Sequence, residues 1–414
     1  MIFNIPYGNA NYFEMEVVVS TSDIITLTHL NTFEGTTMSY NYAVDWGDGS
    51  IGAVTTYNDA ARAHTYTSGG TYRIKIDGRC DTLYVQLADT LRLALRRIIR
   101  WGDSCEFKYL YFVLCTNLTS IPEEAYKLSA VMSFKNIFQA CASLESVPEK
   151  IFWKNDETLS FQAAFSGCTS LTSIPEGLFA DCLTTTSDEG AFKKTFKGCT
   201  GITSIPEDLF KYNINVRDAA FEETFSDCTG ISTIPEDLFR YNIATRDYGF
   251  KRTFENVPVT AIPQALFRYN TNVAKDGFNR TFAWPIGTGG SLALTSIPAQ
   301  LFKFNTSVYN DGGIILSGDS GSFGGTFRSN NANATVNKWI FGDEDDYDRF
   351  LGTEQGFRLC FQIRDNCVAT TPGSVPELWD YNFDSGVTCG ECYGYLLNQN
   401  TWDNWSDVPF WWRL

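Results

Sequence analysis

Thiols, imidazoles and paired carboxylates are the groups in this chain that could do chemistry. Of the 12 cysteines, Cys389-Gly390-Glu391-Cys392 forms a CxxC, with no second pair at zinc-site spacing and no histidine nearby. The 2 histidines, His29 and His64, both lie near the N-terminus. Asp45 and Asp48 could suggest a cation site or catalytic carboxylates. With no third acidic ligand or partner base beside them, turn capping is the better account. Asp343-Glu344-Asp345-Asp346 reads as a solvated turn, and Gly318-Asp319-Ser320-Gly321 as a loop that no Gly-Lys-Ser/Thr follows. Neither Ser-x-x-Lys nor Gly-x-Ser-x-Gly occurs. The sequence therefore predicts no catalytic residue, no metal and no cofactor. A carbohydrate-active enzyme stays as the enzymatic alternative, because its two acids can come from distant positions.

The framework around these groups is better defined. A formal charge of -16 disfavours nucleic acid and anionic membrane surfaces, both of which require a positive face. An acidic face could meet a basic partner, although solubility is the better account of it. With 414 residues, 15% of them aromatic, the chain can fill the cores of two or three domains. Met1-Ile2-Phe3-Asn4-Ile5-Pro6 lacks a basic segment followed by an apolar one, and no run is apolar enough to span a bilayer. Neither secretory export nor membrane insertion is expected.

Residues 1–82 read as short strands broken by turns. Glu14 to Val19, Ile24 to Leu27 and Tyr40 to Val44 are β-rich. In Gly70-Thr71-Tyr72-Arg73-Ile74-Lys75-Ile76, Tyr72, Ile74 and Ile76 can face a core while their neighbours face water. The run from Val44 through Asp45-Trp46-Gly47-Asp48-Gly49 to His64-Thr65-Tyr66 and Gly70-Thr71-Tyr72 resembles the PKD family of immunoglobulin-like modules over most of residues 38–78. That resemblance implies a β-sandwich used as a spacer or binding scaffold, with Trp46, Tyr66 and Tyr72 in core or corner positions.

Internal repetition dominates the rest. Cys-x-x-Leu/Ile-x-x-Ile/Val-Pro occurs at Cys115–Pro122 and returns at Cys141–Pro148, Cys168–Pro175, Cys199–Pro206 and Cys228–Pro235. Weaker copies end at Pro263 and Pro298, and a distant one at Pro376. Successive prolines from 122 to 263 are 26, 27, 31, 29 and 28 residues apart. Pairs such as Phe192/Phe196, Phe221/Phe225 and Phe250/Phe254 precede each copy at i,i+4 spacing, which predicts a helical turn upstream of a short strand. Leu209-Phe210 and Leu238-Phe239 supply a further buried pair. One unit is too short to close a core, so neighbours must stack, with the recurrent cysteines as small apolar plugs. The Phe-x-x-Cys-x-x-Leu/Ile-x-x-Ile-Pro pattern resembles the BspA-like branch of leucine-rich repeats from Trp101 to Pro298. The resemblance implies bacterial or phage surface proteins engaged in adhesion and protein contacts.

The expected fold class is multidomain, an all-β immunoglobulin-like sandwich followed by an α/β leucine-rich-repeat solenoid. Its parts are a PKD-like sandwich over 1–82, a linker or solenoid cap over 83–104, the solenoid over 105–310, an irregular insertion with a degenerate repeat over 311–380, and an aromatic-rich cap or docking segment over 381–414. Two sets of residues could bind. The stripe Tyr212-Asn213, Tyr241-Asn242, Tyr269-Asn270 and Phe304-Asn305, each preceded by Lys or Arg, could contact carbohydrate or protein, or be core and helix-end structure. Trp402, Trp405, Trp411 and Trp412 could cap the solenoid or dock onto another chain. The expectation is a non-enzymatic phage virion protein, a tail, fibre or capsid-decorating component assembled in the host cytoplasm. An exported bacterial adhesin for host protein or glycan is the alternative. Its partners would be other virion proteins or a host-surface protein or glycan, with self-association left open.

Overall fold

The computed structural model describes residues 11–33, 35–85, 89–123, 128–155, 160–183, 190–284, 294, 296–305, 307–308, 326–327 and 335–336. It divides into two units, Met1–Thr184 and Thr185–Leu414.

In the first unit, alternation builds an antiparallel sheet of five strands. These are β1 (Phe13–Val19), β5 (Tyr40–Asp45), β6 (Ile51–Val54), β8 (Gly70–Cys80) and β10 (Leu95–Arg100), in the order β10-β1-β8-β5-β6. Phe13, Met15 and Val17 are fully buried and pair with Ile76, Ile74 and Tyr72 of β8. The remaining short strands are β2 (Ile24–Thr26) paired with β7 (Ala63–Thr65), β3 (Thr32–Phe33) with β4 (Thr36–Thr37), and β9 (Thr82–Val85) with β11 (Tyr109–Phe112). Between β5 and β6 the two aspartates close the turn. Asp45 Oδ1 accepts from the Gly47 N–H at 2.9 Å and Asp48 Oδ1 from the Ser50 N–H at 3.0 Å. Gly47 has φ +85°, and a Cβ there would lie 2.7 Å from the Arg73 carbonyl oxygen, so no other residue fits. Tyr66 is buried and its hydroxyl donates to the Trp46 carbonyl at 2.8 Å.

Residues 83–104, expected as a linker or cap, contribute β10 to this sheet. On one side β10 pairs with β1, where Arg97 grips Glu16 bidentately at 3.0 and 2.8 Å. On the other it is a template for the first repeat: the Thr119 N–H donates to the Arg96 carbonyl at 2.8 Å and the Ile98 N–H to the Ser120 carbonyl at 3.1 Å. Parallel pairing begins with β9 and β11, and Tyr109 bridges in parallel to Ser133.

The expected helical half of each repeat is absent among the described residues. The one α-helix there is Leu91–Ala94, accompanied by a 3-10 turn at Ala60–Arg62, so the fold is β-rich rather than α/β. Each Phe-x-x-x-Phe segment is a run of hydrogen-bonded turns whose amide N–H groups alternate in direction. The Phe221, Glu223, Phe225 and Asp227 N–H groups donate to carbonyls of Gly249, Lys251, Thr253 and Glu255 in the next repeat, at 2.8–3.0 Å. The intervening Glu222, Thr224 and Ser226 N–H groups bond three residues back, at 3.1–3.2 Å. An α-helix would have consumed all of these groups internally. The expected strand seam is correspondingly thin, with single bonds such as Glu145 to Thr119 and Thr260 to Ser232.

This geometry requires left-handed residues. The residue before the cysteine position is Leu114, Ala140, Gly167, Gly198, Asp227 and Asn256 in successive repeats, with φ between 58° and 78° in all six. In the second unit it brings the phenylalanines into register. Phe192, Phe221, Phe250 and Phe278 stack at 5.9, 5.6 and 5.7 Å, and Phe210, Phe239, Phe267 and Phe302 at 6.1, 6.2 and 5.9 Å. All are essentially fully buried. In the first unit Phe112, Phe138 and Phe165 stack in the same way, each step 5.9 Å.

A β-carbon in the left-handed region costs about 1 kcal/mol. Gly167→Ala, whose Cβ would reach Ala140 only at the ordinary contact distance of 3.4 Å, should therefore lower unfolding free energy by about that amount, and Ala140→Gly should fail to destabilise the protein. Urea denaturation of the two variants checks both.

Candidate binding face

The groups with chemical potential are occupied structurally. His29 is buried, its Nδ1 2.8 Å from the Thr82 carbonyl and its Nε2 2.6 Å from the Tyr42 hydroxyl; burial pushes its pKa down to about 4. His64 Nε2 lies 2.7 Å from Asp48 Oδ2, and its ring stacks on Trp46. Burial alone would raise the Asp48 carboxyl, but the Ser50 amide and His64 outweigh it and hold it below the ordinary range. The repeat cysteines are buried hydrogen-bond donors: the thiols of Cys141, Cys168 and Cys228 donate to the carbonyls of Phe112, Phe138 and Phe196 at 3.1, 3.2 and 2.9 Å. Burial pushes these three thiols well above their usual pKa, away from the nucleophilic thiolate.

The buried carboxylates of the turn segments are matched by cations. Glu222 pairs with Lys193 at 2.7 Å, Glu223 with Lys194 at 3.5 Å and with Lys197, and Glu255 with Arg280 and, at 3.6 Å, Arg252. For Glu223 the lysines outweigh burial and lower the pKa; for Glu255 burial prevails and raises it. Among the described residues no group of three His, Cys, Asp or Glu could hold a metal, and no helix is long and apolar enough to cross a membrane. The CxxC, the run 343–346 and Trp402, Trp405, Trp411 and Trp412 lie outside the described residues.

The repeated stripe splits into two layers. Asn213, Asn242, Asn270 and Asn305 are at most 1% exposed, whereas Tyr212, Tyr241, Tyr269 and Phe304 are 49%, 39%, 38% and 36% exposed. The asparagines form a ladder. Asn242 Nδ2 donates to the carbonyls of Phe210 and Asn213, both at 3.0 Å; Asn270 repeats this on Phe239 and Asn242, and Asn305 on Phe267 and Asn270. The amide half of the stripe is thus internal scaffolding.

The aromatic half faces solvent with the cations threaded between its rings. Lys211 Nζ lies 5.8 Å from the Tyr212 ring and 6.0 Å from Tyr241, the Arg240 guanidinium 5.7 Å from Tyr241 and 5.4 Å from Tyr269, and Arg268 5.8 Å from Tyr269 and 5.6 Å from Phe304. Such contacts between cation and ring face hold the row in order. Ile214 and Ile243, 51% and 54% exposed, immediately follow Asn213 and Asn242 and widen its apolar surface.

The row is not uniform in charge. Asp208 binds Lys211 at 2.8 Å and Asp237 binds Arg240 at 3.0 Å. Asp208 thereby holds Lys211 above the usual lysine range, and Asp237 does the same for Arg240. At the equivalent positions the next two repeats carry Ala265 and Gln300. Arg268 has no carboxylate partner among the described residues, and beside it opens a hollow of about 240 Å³ lined by Glu236, Gln264, Ala265, Arg268, Gln300 and Phe304. Sequence reading singled out the stripe but missed this hollow; its signal is the change from Glu207-Asp208 and Glu236-Asp237 to Gln264-Ala265 and Ala299-Gln300 after successive repeat prolines.

Stacked repeats with inward Leu, Ile and Phe, an asparagine ladder and lateral backbone bonds define a β-rich, leucine-rich-repeat-like fold. No family profile and no curated protein matches the chain. Among solved structures, a leucine-rich-repeat protein from Bacteroides ovatus is similar at 14% identity and a TM-score of 0.22, over 72% of this chain and 81% of that one. A chain of the Toll–Spätzle complex from Drosophila is similar at 13% identity and a TM-score of 0.21, over 70% of this chain and 48% of that one. This chain thus spans about half the length of the Toll-complex chain. The fold assignment rests on the repeats themselves and not on those superpositions.

Asn242→Ala removes one buried donor from each of two carbonyls, the Phe210 carbonyl keeping the Asn213 N–H, and should cost about 1–2 kcal/mol, whereas Tyr241→Ser should cost less than about 1 kcal/mol, measured by chemical denaturation. Iodoacetamide should leave Cys80, Cys105, Cys115, Cys141, Cys168, Cys182, Cys199 and Cys228 unmodified in the folded protein and label all eight after denaturation, as mapped by peptide mass spectrometry.

Proposed function

We propose that the chain is a non-enzymatic binding protein of a phage virion, a tail, fibre or capsid-decorating component that docks noncovalently through its repeats. One observation carries the binding reading: among the described aromatic side chains of the repeats, Tyr212, Tyr241, Tyr269 and Phe304 alone are exposed, and they form one cation-braced row. Aromatic and Arg side chains dominate the energetics of known interfaces, and rings already held in order lose little entropy on contact. The reading takes residues 1–82 as a PKD-like immunoglobulin-type module and the array as a BspA-like solenoid, on the motifs quoted for each. Buried thiols throughout the described repeats suit assembly in a reducing cytoplasm. Other virion proteins, or a protein or glycan on the host surface, would be the partners.

Peptide mass spectrometry of purified phage particles and of washed host-cell envelopes tests the setting. Stoichiometric peptides in particles are expected; peptides confined to envelopes would replace the virion with an exported adhesin. The row itself is tested by the combined variant Tyr212→Ser, Tyr241→Ser and Tyr269→Ser. It should lose at least about tenfold in binding to its particle or cell target with its melting temperature little changed.

A further inference from the structure

We propose that the hollow beside Arg268 is a binding site for a carboxylated sugar, a proposal that rests on the reading of the aromatic row as a binding face. The argument begins inside the repeats. Asp208 and Asp237 neutralise the cations of two successive repeats at 2.8 and 3.0 Å. In the third repeat the anion is replaced by Ala265, and the preceding glutamate by Gln264. Ala265, standing where the two preceding repeats carry that carboxylate, lines an open volume of about 240 Å³. A ligand carboxylate would supply the missing anion, and the guanidinium fork can meet it with two parallel N–H···O bonds. Arg268 is already held between Tyr269 and Phe304, so little side-chain freedom remains to be lost.

The rest of the lining selects the remainder of the ligand. Gln264 offers a donor and an acceptor, the complement of sugar hydroxyls. Glu236 only accepts, so it favours a hydroxyl and turns the ligand's carboxylate away from itself. Phe304 offers a ring against which the C–H face of a sugar can lie. The volume falls below the roughly 300 Å³ at which drug-sized pockets begin, which suits one ring bearing one charge. An acidic peptide would use Arg268 but would leave Gln264 and Glu236 without hydroxyl partners.

Isothermal titration of the full chain with galacturonate, glucuronate and N-acetylneuraminate, against galactose, glucose and acetyl-aspartate amide, tests this. The acidic sugars should bind at least about tenfold more tightly than the neutral ones, and the difference should shrink as salt rises. Ala265→Asp restores the partner found in the two preceding repeats. It should abolish the preference with melting temperature unchanged, as should Arg268→Gln; Tyr212→Ser, remote along the row, should leave it intact. Equal binding of acidic and neutral sugars, no sugar binding, or indifference to Ala265→Asp would overturn the proposal. Tighter binding of acetyl-aspartate amide than of every sugar would overturn it in favour of an acidic peptide. Sugar binding lost in Ala265→Asp, beside a triple tyrosine variant that still reaches its target, would uphold the hollow and sink the wider reading of the row. Absent sugar binding beside a triple variant that loses its target would sink the hollow alone.

Discussion

Buried main-chain carbonyls are the constraint on which the repeat structure depends. Packing phenylalanines in columns also buries the carbonyl of each; the amide three residues on fills one acceptor site, and the second faces the next repeat. The next repeat answers with a small polar side chain at three levels. Threonine hydroxyls of Thr224, Thr253 and Thr281 donate to the carbonyls of Phe192, Phe221 and Phe250 at 2.7–2.9 Å. The Cys228 thiol does the same for Phe196, and the Asn242 amide for Phe210. Thr, Cys and Asn therefore recur for one physical reason. Each is short enough to stay in the column and carries a donor aimed along it.

That constraint also explains where variation is tolerated. Positions that cap a carbonyl or fill a column are tied to both neighbours, so changing one disturbs two interfaces. The side chains between proline and the Leu-Phe pair, and the ring after it, have no such duty. They are where Glu-Asp gives way to Gln-Ala, and where tyrosine gives way to Phe304. Buried and exposed side chains are thus interleaved residue by residue: Asn242 is wholly internal while its neighbour Tyr241 is exposed.

Much of this was legible in the sequence, and the failure has an identifiable source. The period, the buried Leu, Ile and Phe positions and the packing role of cysteine follow from pattern alone, because burial is what a repeated apolar residue reports. The phenylalanine spacing was misread as helical. An i,i+4 pair states that two side chains share a face, but not where the amides between them donate. A clue was present: Gly167, Gly198, Asp227 and Asn256 occupy one column within the supposed helical half, and these are residue types that tolerate left-handed backbone. The role of β10 was hidden for a different reason. A strand that pairs on both edges with different partners carries no periodic signature of its second partner. For the stripe, structure and contact both fitted the residues; the asparagines are internal, and the rings lie at the surface.

The near-identity of successive seams has a consequence for how such a chain can change over generations. The turns headed by Ala219 and Tyr248 present the same series of donors and acceptors to their neighbours, with the same ring stacking. A gene segment encoding one unit could be lost or duplicated by unequal crossing-over, and the ends brought together would still match. The outward row would then shorten or lengthen by one ring and one cation at a time. Reach toward a target would become a trait set by copy number, adjustable in steps without a new fold having to arise.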